Sequence, residues 1–457
     1  MKLVYDVKDR PKFGQLIVFA IQQLLAIMAA TLVVPVIING NAGLEGAQAM
    51  SPAAALFGAG TGTLIYIICT KAKSPVFLGS SFAFIGSMTA AFSGAVAVGY
   101  LGLIIGAVFA GLVYVIIALV VKFVGVKWVS KLMPAVVIGP TVAIIGLSLA
   151  GNAVGDFTKS NLEGGSTYVA IICALITIGV TMLCSTYGKK NIRLIPFIIG
   201  ILAGYAAASI FFIIGKATGN EALMIIDYSA LTSNFENITV SSFVSVPNFS
   251  FLTAFKGLSE ITGSDIATVA VAYIPVAFVV FAEHIADHKN LSSVIEKDLL
   301  EDPGLHRTLL GDGIGSMVGA FFGGCPNTTY GESVGCVAIT RNASVYTIIT
   351  AAVGAIIISF ITPFVAFVNT IPSCVMGGVC MALYGFIAVS GLKMIKDVDL
   401  DENRNLFVVS VIFIAGIGGL SISFGKITLT SIACALILGI ITNVMLSKKK
   451  TDKAEKE

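Results

Sequence analysis

The sequence predicts an all-α polytopic membrane protein with fourteen transmembrane segments, arranged as two inverted repeats of seven. Hydrophobic residues make up 56% of the 457 positions and charged residues only 12%, against roughly 25% charged in soluble domains. The charges lie in short clusters between apolar stretches of roughly 20 residues, the length that crosses a bilayer core as a helix. A soluble domain is excluded, and the net charge of +3 does not indicate a nucleic-acid partner.

Hydropathy sets the boundaries of the predicted spans. They are residues 16–38, 51–69, 76–92, 100–121, 132–150, 167–186, 194–215, 265–286, 309–324, 327–340, 345–368, 371–392, 405–423 and 427–446. The apolar run after the polar N-terminal segment is a full span without a small-residue cleavage pattern, so no signal peptide is predicted. The 8 cysteines lie in or beside apolar segments without metal-ligand spacing, which argues against disulfides and zinc.

The distribution of basic residues predicts the orientation. With both termini in the cytoplasm, only Lys159, Lys216, Lys256 and Lys426 of the 28 Lys and Arg residues lie outside. Short cytoplasmic loops carry this excess of Lys and Arg in membrane proteins. We therefore expect a multi-pass protein of the cell membrane with cytoplasmic N- and C-termini.

Two correspondences about half a chain apart indicate the repeat. Met133-Pro134 with Gly139 matches Ile371-Pro372 with Gly377, and residues 79–82 (GSSF) match residues 327–330 (NTTY). An odd number of spans in each copy makes the second copy enter the membrane upside down, as in many secondary transporters. Chance recurrence of Gly and Pro is the alternative explanation.

The spans at 76–92 and 327–340 are short and contain small or hydroxylated residues followed by an aromatic residue. Such a segment is expected where a helix is broken inside a protein-lined cavity. A broken helix offers free N–H donors at its N-terminus. The alternative is an ordinary loop that dips into the membrane interface.

Four acidic residues lie well inside apolar segments, with no Lys or Arg beside them: Glu283, Asp287, Asp312 and Glu332. Four ionised, lipid-facing carboxylates would be unfavourable by about 10 to 14 kcal/mol, so these residues must face the interior of the helix bundle. Burial without a basic partner favours the neutral carboxylic acid. We therefore interpret them as proton carriers and as hydrogen-bond partners of a ligand.

Glu283 and Asp287 are four residues apart, so they lie one turn apart on one helix face. The alternative for Asp287 is that it caps or solvates the helix end. His284 and His288 flank these acids, but neighbouring residues on a helix point about 100° apart, so a metal site is not predicted. We expect one of these histidines to bond locally and the other to face the following loop.

Several motifs together resemble the nucleobase/ascorbate transporter family (nucleobase:cation symporter-2), particularly its bacterial uracil permeases. The motifs are QQLLAIMAATLVVP from residue 22, GSSFAF from 79, AEHI from 282, KDLLEDPGLHR from 297 and PNTTYGESVG from 326. The resemblance covers nearly the whole chain. The motifs of spans 8 and 10 are specific, and that of span 1 is looser.

This resemblance implies a homodimer in which a core domain moves against a gate domain. Residues 1–124 and 217–368 would form the core, residues 125–216 and 369–446 the gate, and residues 447–457 a cytoplasmic tail. The substrate site of the family lies between short strand-like breaks in spans 3 and 10. The family is not enzymatic, so neither a catalytic residue nor a cofactor is expected.

By motif position, Phe82 would stack on the base, and Glu283 and Glu332 would accept its N–H protons. The backbone near Phe82, Tyr330 and Gly331 would meet its carbonyl groups. The remaining candidates are Asp287 and Asp312 with Glu283 for proton coupling, and Gln23, Ser81 and His284 as supporting residues. Uracil, a planar uncharged base with two donors and two acceptors, suits carboxylates, backbone donors and one aromatic face.

The sequence departs from the uracil pattern at three positions. Gln23 stands where many members have His, Asp287 where uracil carriers often have His, and Ser333 where Asn is common. Glu332 favours uracil, because purine carriers of the family usually have Gln there. We therefore predict a proton-coupled uracil symporter, with a xanthine or uric acid carrier as the alternative.

Other function classes fit less well. A channel would show a continuous polar stripe rather than one cluster of acids. A membrane hydrolase would need a nucleophile with its base, or an HExxH motif, and the sequence has neither arrangement.

Overall fold

The computed structural model describes residues 3–92, 95–125, 134–189, 192–424 and 427–447. Three of the predictions fall outside these ranges. They concern Met133, which belongs to the first repeat correspondence, and Lys426, which is predicted to lie outside the cell. The third is the predicted cytoplasmic tail, of which only Ser447 is described.

The chain begins with a short docked segment and then forms α1 (Phe13–Ala42), α2 (Pro52–Cys69), β1 (Leu78–Ser80), α3 (Ile85–Ala91) and α4 (Val96–Val124). At the start of α2, the Ser51 hydroxyl accepts a hydrogen bond from the Ala54 amide at 3.2 Å, and proline occupies the first helical position. A serine cap followed by proline is a favoured helix start, because both features suit amides that have no partner within the helix.

The next stretch forms α5 (Ala135–Ser148), α6 (Ala150–Phe157), α7 (Thr167–Tyr187) and α8 (Pro196–Thr218). The predicted span 132–150 is therefore too short at its C-terminal end, because α6 follows α5 after a single residue and continues to Phe157.

The segment after α8, in which few sequence features indicate a structure, contains α9 (Ser229–Glu236) and α10 (Ser250–Ala254). It is followed by α11 (Gly263–Ile295), α12 (Leu305–Gly323), β2 (Asn327–Thr329), α13 (Gly331–Thr340) and α14 (Val345–Ser359). Thr262 and Asp265 form a reciprocal capping box at the start of α11, a common device for satisfying the first amides. The helix continues to Ile295, nine residues past the predicted end at 286, because Leu291 and Ile295 are buried in the core.

The last part consists of α15 (Thr362–Asn369), α16 (Ser373–Met394), α17 (Asn403–Ile417), β3 (Ile422–Phe424), β4 (Ile427–Leu429) and α18 (Ser431–Ser447). The strands β3 and β4 pair with each other in an antiparallel ladder.

Within the described ranges, 8 helical segments are long and apolar enough to cross a membrane. Four shorter apolar helical stretches accompany them, namely Phe82–Ala91, α14, α17 and α18. Long apolar helices of this kind are the signature of a multi-pass membrane protein.

The helices pack in two groups. In the first group α12 lies against α2 and α4, α14 lies against α1 and α2, and α11 lies against α4. In the second group α16 packs against α5, α6 and α7, α7 packs against α8, and α17 packs against α18 and α5.

Glycines let α2 and α12 approach each other closely. A Cβ atom at Gly58 would lie 2.5 Å from the carbonyl oxygen of Gly319, and one at Gly62 would lie 2.7 Å from that of Gly315. Small residues at helix contacts are typical of membrane proteins, because the packing of backbones takes over from the hydrophobic effect in lipid.

The two breaks predicted in spans 3 and 10 contain strands. β1 pairs with β2 in an antiparallel ladder, with Leu78 opposite Thr329 and Ser80 opposite Asn327. The Tyr330 hydroxyl also donates to the carbonyl oxygen of Ser80 at 2.7 Å. The pair satisfies backbone groups that would otherwise be unpaired inside the membrane, and it brings two segments about 250 residues apart in sequence to one place.

Candidate functional site

A cavity of about 330 Å³ lies where the β1–β2 pair, α11 and the second group of helices meet. On one side the lining comes from α11, β2, the start of α13 and the helical turn after β1. These residues are Phe82, Ala83, Glu283, Ala286, Asp287, Thr328, Thr329, Tyr330, Gly331 and Glu332. The second group contributes Val142, Ile145, Phe197, Leu383, Phe386, Ile387, Ser390 and Met394. This size and the mixture of apolar walls with a few polar groups are typical of small-molecule sites.

Glu283 and Asp287 both line the cavity from α11, one helical turn apart. The Thr329 hydroxyl of β2 donates to Asp287 Oδ2 at 2.8 Å. Asp287 does not cap or solvate the end of its helix, because α11 continues for two further turns to Ile295. The carboxyl is instead held by a residue of the strand pair.

Tyr330, Gly331 and Glu332 line the cavity at the start of α13. Tyr330 has extended backbone angles and precedes the first helical residue, Gly331. Amides in the first turn of a helix have no intrahelical acceptor and point along the helix axis. Glu332 lies in that first turn, so the same end of α13 presents both a carboxyl group and amide donors.

Phe82 lies at the start of the one-turn helix Phe82–Phe84 that follows β1, and its ring is half-buried. The ring meets Tyr384 of α16 edge-on, with centroids 5.9 Å apart. Phe82 therefore lines the cavity at its contact with α16.

Gln23 and Ser81 lie behind the cavity. Gln23 is buried in α1 and its side-chain amide donates a hydrogen bond to the Ser333 hydroxyl, whose oxygen also accepts from the Phe77 amide at 3.0 Å. Two of the three positions at which the sequence departs from the uracil pattern are thus bonded to each other. Ser81 is buried, and its amide donates to the Pro326 carbonyl at 2.9 Å.

His284 and Asp312 are buried away from the cavity lining. His284 Nδ1 lies 2.7 Å from Asp312 Oδ2, and His284 Nε2 lies 2.9 Å from the Thr308 hydroxyl. His284 therefore bonds locally, as one of the two histidines was expected to.

His288 does not face the loop, contrary to the prediction. It is buried, its Nδ1 donates to the His284 carbonyl at 2.8 Å, and its Nε2 lies 2.6 Å from the Tyr66 hydroxyl. The reason is that α11 continues past residue 288 and keeps this face of the helix against α2. Across the described residues, His, Cys, Asp and Glu form no group of three suited to a metal ion.

Sequence reasoning missed the wall of the cavity that α5, α8 and α16 provide. Its residues are apolar, apart from Ser390, and resemble lipid-facing positions in the same helices. Thr328 and Thr329 also escaped selection, although they lie inside the motif PNTTYGESVG and could have been found there.

The comparisons with known proteins agree with the resemblance. A family model described as "Permease family" matches residues 14–424. A uracil permease of Bacillus caldolyticus is 38% identical, over 97% of this chain and 95% of its own length. Uracil permeases of Bacillus subtilis and Escherichia coli K12 are 36% and 34% identical, over 99% and 95% of this chain and 98% and 92% of their own lengths.

Solved structures resemble this chain in fold. The transmembrane domain of the cyanobacterial bicarbonate transporter BicA aligns with a TM-score of 0.58 at 14% identity, covering 96% of this chain and all of that domain. Murine Solute Carrier 26 family member A9, in an inward-facing state, aligns with a TM-score of 0.63 at 11% identity, covering 97% of this chain and 70% of that protein. The predictions of a permease family and of a non-enzymatic function are confirmed by the sequence relatives.

Proposed function

Because this chain belongs to the nucleobase/ascorbate transporter family, we propose that it is a secondary transporter that imports uracil together with a proton. The observation that carries the proposal is the cavity in which Glu283, Glu332 and Phe82 meet. The relatives named uracil permeases support uracil as the substrate. They give no support to the xanthine or uric acid alternative.

The cavity offers complementary groups for each part of uracil. The carboxyl groups of Glu283 and Glu332 accept hydrogen bonds from the two N–H groups. Backbone amides near Phe82, Tyr330 and Gly331 donate to the carbonyl groups, and the Phe82 ring stacks on the base. A neutral, planar ligand of this kind fits a site whose described lining includes no Lys or Arg.

Transport by alternating access follows from the division into a core (residues 1–124 and 217–368) and a gate (residues 125–216 and 369–446). The two packing groups support this division, because the cavity has walls from both. Substrate bound to the core would then face either side of the membrane as the gate moves against it.

A plan of fourteen spans in two inverted repeats completes this proposal. It is supported, among the described residues, by the 8 long helical segments and the four shorter ones, with α12 and α13 added. The antiparallel pairing of β1 with β2 also suits two related segments that enter the membrane from opposite sides.

Proton coupling is the second part of the proposal. Glu283, Asp287 and Asp312 are the candidate proton carriers, since burial among other carboxyl groups favours the protonated, neutral form. A proton that enters with the base removes the charge from the site while the gate moves. We further propose that the transporter works as a homodimer in the cell membrane, with both termini cytoplasmic.

The test is uptake of labelled uracil by purified protein in proteoliposomes, with an imposed pH gradient and with unlabelled xanthine, uric acid and thymine as competitors. Uracil should accumulate only when the pH gradient is imposed. A protonophore should abolish this accumulation, while counterflow of preloaded uracil continues. If xanthine inhibits the uptake of labelled uracil at a lower concentration than unlabelled uracil does, uracil is not the preferred substrate and the proposal is contradicted. Sodium dependence without any response to the protonophore would contradict the coupling, and the absence of counterflow would indicate a channel.

A further inference from the structure

A chain of three buried side chains lies directly behind the cavity. Asp312 Oδ2 is 2.7 Å from His284 Nδ1, and His284 Nε2 is 2.9 Å from the Thr308 hydroxyl oxygen. Each of these side chains is fully buried. His284 follows the cavity residue Glu283 in α11, whereas Thr308 and Asp312 lie one turn apart on α12.

Thr308 can bond His284 in either direction. Its hydroxyl oxygen lies 3.1 Å from the Leu305 carbonyl oxygen and 2.9 Å from His284 Nε2. In one arrangement the hydroxyl donates its single proton to Leu305 and its oxygen accepts from His284. In that arrangement His284 Nε2 carries a proton.

The protonation of the other ring nitrogen follows. Either Asp312 is a carboxylic acid that donates to an unprotonated Nδ1, or Asp312 is a carboxylate beside an imidazolium ring. Both forms are electrically neutral as a pair, and both hold one more proton than a carboxylate beside a neutral histidine. The neutral pair also suits a buried position at which, in the described chain, Asp312 has no ion pair with Lys or Arg.

We propose that the Asp312–His284 pair stores the proton that is transported with the substrate, and that Thr308 is the positioning residue for that proton. When the pair releases its proton to water, its charge changes from zero to minus one. The Asp312 carboxylate then accepts from Nδ1, Nε2 becomes an acceptor, and the Thr308 hydroxyl turns from the Leu305 carbonyl to Nε2. Thr308 thus has a hydrogen bond in both states, and neither state leaves Nε2 unpaired.

The pair is close enough to the cavity to respond to it. His284 directly follows the cavity residue Glu283 in α11, and its ring centroid lies 6.5 Å from that of Tyr114 in α4. Like charges disfavour each other's ionised forms, so a proton on the pair and the charge of the substrate-binding acids are linked. The ionisable groups on the elements packed around the pair include Glu283, Asp287 and His288 of α11, Tyr66 and Cys69 of α2, Tyr114 of α4, Arg307 of α12 and Glu332 of α13.

This inference rests on the proton coupling proposed above, and Thr308→Val tests it. Valine keeps the shape of threonine but removes the partner of Nε2 in both states. The protonated pair loses more, because its Nε2–H shares the charge of an imidazolium ring and charged donors make the stronger hydrogen bonds, so the pair should lose its proton more readily. The pH at which uracil uptake is half-maximal should move down by about half a unit to one unit, the shift expected for one lost hydrogen bond. Thr308→Ser should restore the wild-type profile, because it keeps the hydroxyl.

The matched control is Thr177→Val. Thr177 is also a buried threonine in a membrane helix, bonded to the Cys173 carbonyl at 2.9 Å, and its replacement should leave the pH profile unchanged. If Thr308→Val does not give folded protein, Thr308→Ala carries the test and should show the same shift.

Two failures can be distinguished. Wild-type uptake that ignores the pH gradient would contradict proton coupling as a whole. Wild-type uptake that follows the gradient, together with a Thr308→Val or Thr308→Ala profile that coincides with it, would overturn the role of Thr308 alone. A Thr308→Ser profile shifted as far as that of the valine variant would overturn it as well.

Discussion

The side-chain amide of Gln23 in α1 donates a hydrogen bond to the hydroxyl of Ser333 in α13, across 310 residues of sequence. The same hydroxyl oxygen accepts from the Phe77 amide just before β1. One buried hydroxyl therefore joins the first helix, the approach to the first strand and the helix that carries Glu332.

Removal of the Ser333 hydroxyl should destabilise this junction. Ser333→Ala leaves two buried donors, those of Gln23 and Phe77, without an acceptor, and we expect a loss of about 1 to 3 kcal/mol in stability. Thermal unfolding in detergent measures the effect. Addition of Gln23→Met to the Ser333→Ala variant should be nearly neutral, because the unpaired amide is then gone. Strictly additive effects of the two changes would contradict the shared hydrogen bond.

Phe82 should contribute to uracil binding through its ring. Phe82→Ala is expected to weaken binding by about 1 to 3 kcal/mol, the range for bases stacked on aromatic residues. Phe82→Tyr should have a mild effect, because it keeps the ring. Isothermal titration of the purified variants with uracil measures both, and unchanged affinity of the alanine variant would assign Phe82 to packing against Tyr384.

Glu283 and Glu332 should have different roles. Glu283 has Asp287 one turn away, and two close carboxyl groups resist joint ionisation, so this pair suits an exchangeable proton. Glu332 lies in the first turn of α13, beside amides that have no acceptor within the helix, so it is placed to recognise the base. We expect Glu283→Gln to abolish uracil accumulation in the proteoliposome assay with a pH gradient.

The matched variant Glu332→Gln should shift preference towards xanthine and keep the response to the pH gradient, because an amide can donate as well as accept. Competition by xanthine against labelled uracil measures the preference. The assignment is reversed if the Glu332 variant loses the response to the gradient while the Glu283 variant keeps it.

A side chain at Gly58 should separate α2 from α12. The Cβ atom of an alanine would lie 2.5 Å from a backbone oxygen, that of Gly319, and backbone cannot move aside as a flexible side chain can. Gly58→Ala should destabilise the protein by about 1 to 3 kcal/mol, seen as a lower melting temperature. Gly179→Ala in α7 is the control, since no atom lies within 4 Å of its added Cβ. Equal melting temperatures would show that the helices have room to spare.

The docking of the N-terminal segment should depend on pH. The hydrogen bond from the Lys297 ammonium, 2.6 Å from Oδ2, lowers the pKa of Asp6 below its ordinary value of 3.8. Because the pKa of Asp6 is lower in the folded state, the pair stabilises the protein fully at pH values above the pKa of Asp6 in the unfolded chain. This contribution is lost as the pH falls through the pKa of Asp6 in the folded protein.

Both partners are about half exposed, so Lys297→Met should lower stability at neutral pH by about 1 kcal/mol or less. The difference in melting temperature between this variant and the wild type should vanish at pH values below the folded pKa of Asp6. Lys289→Met, at an exposed position in α11, serves as the control. A difference that persists in acid would show that Lys297 acts through packing instead.

The sequence alone determined that the chain lies in a membrane and where its unusual residues are. Apolar stretches of bilayer length identify helices without any knowledge of their neighbours. Acidic residues in such stretches must face protein, because lipid cannot solvate them. This reasoning selected four acids, of which Glu283, Asp287 and Glu332 line the cavity and Asp312 is buried outside its lining. The polar interruptions at 79–82 and 327–330 likewise marked the breaks that contain β1 and β2.

Only the tertiary structure decided which residues meet. The wall that includes Phe197, Leu383 and Phe386 could not be selected from the sequence, because lipid and protein interior are equally apolar and a membrane helix shows little difference between the faces that contact them. The partners of His284, His288 and Gln23 lie 24, 222 and 310 residues away in the chain. Sequence spacing predicts contacts within a helix, where i and i+4 are neighbours, whereas contacts between helices depend on the packing of the whole bundle.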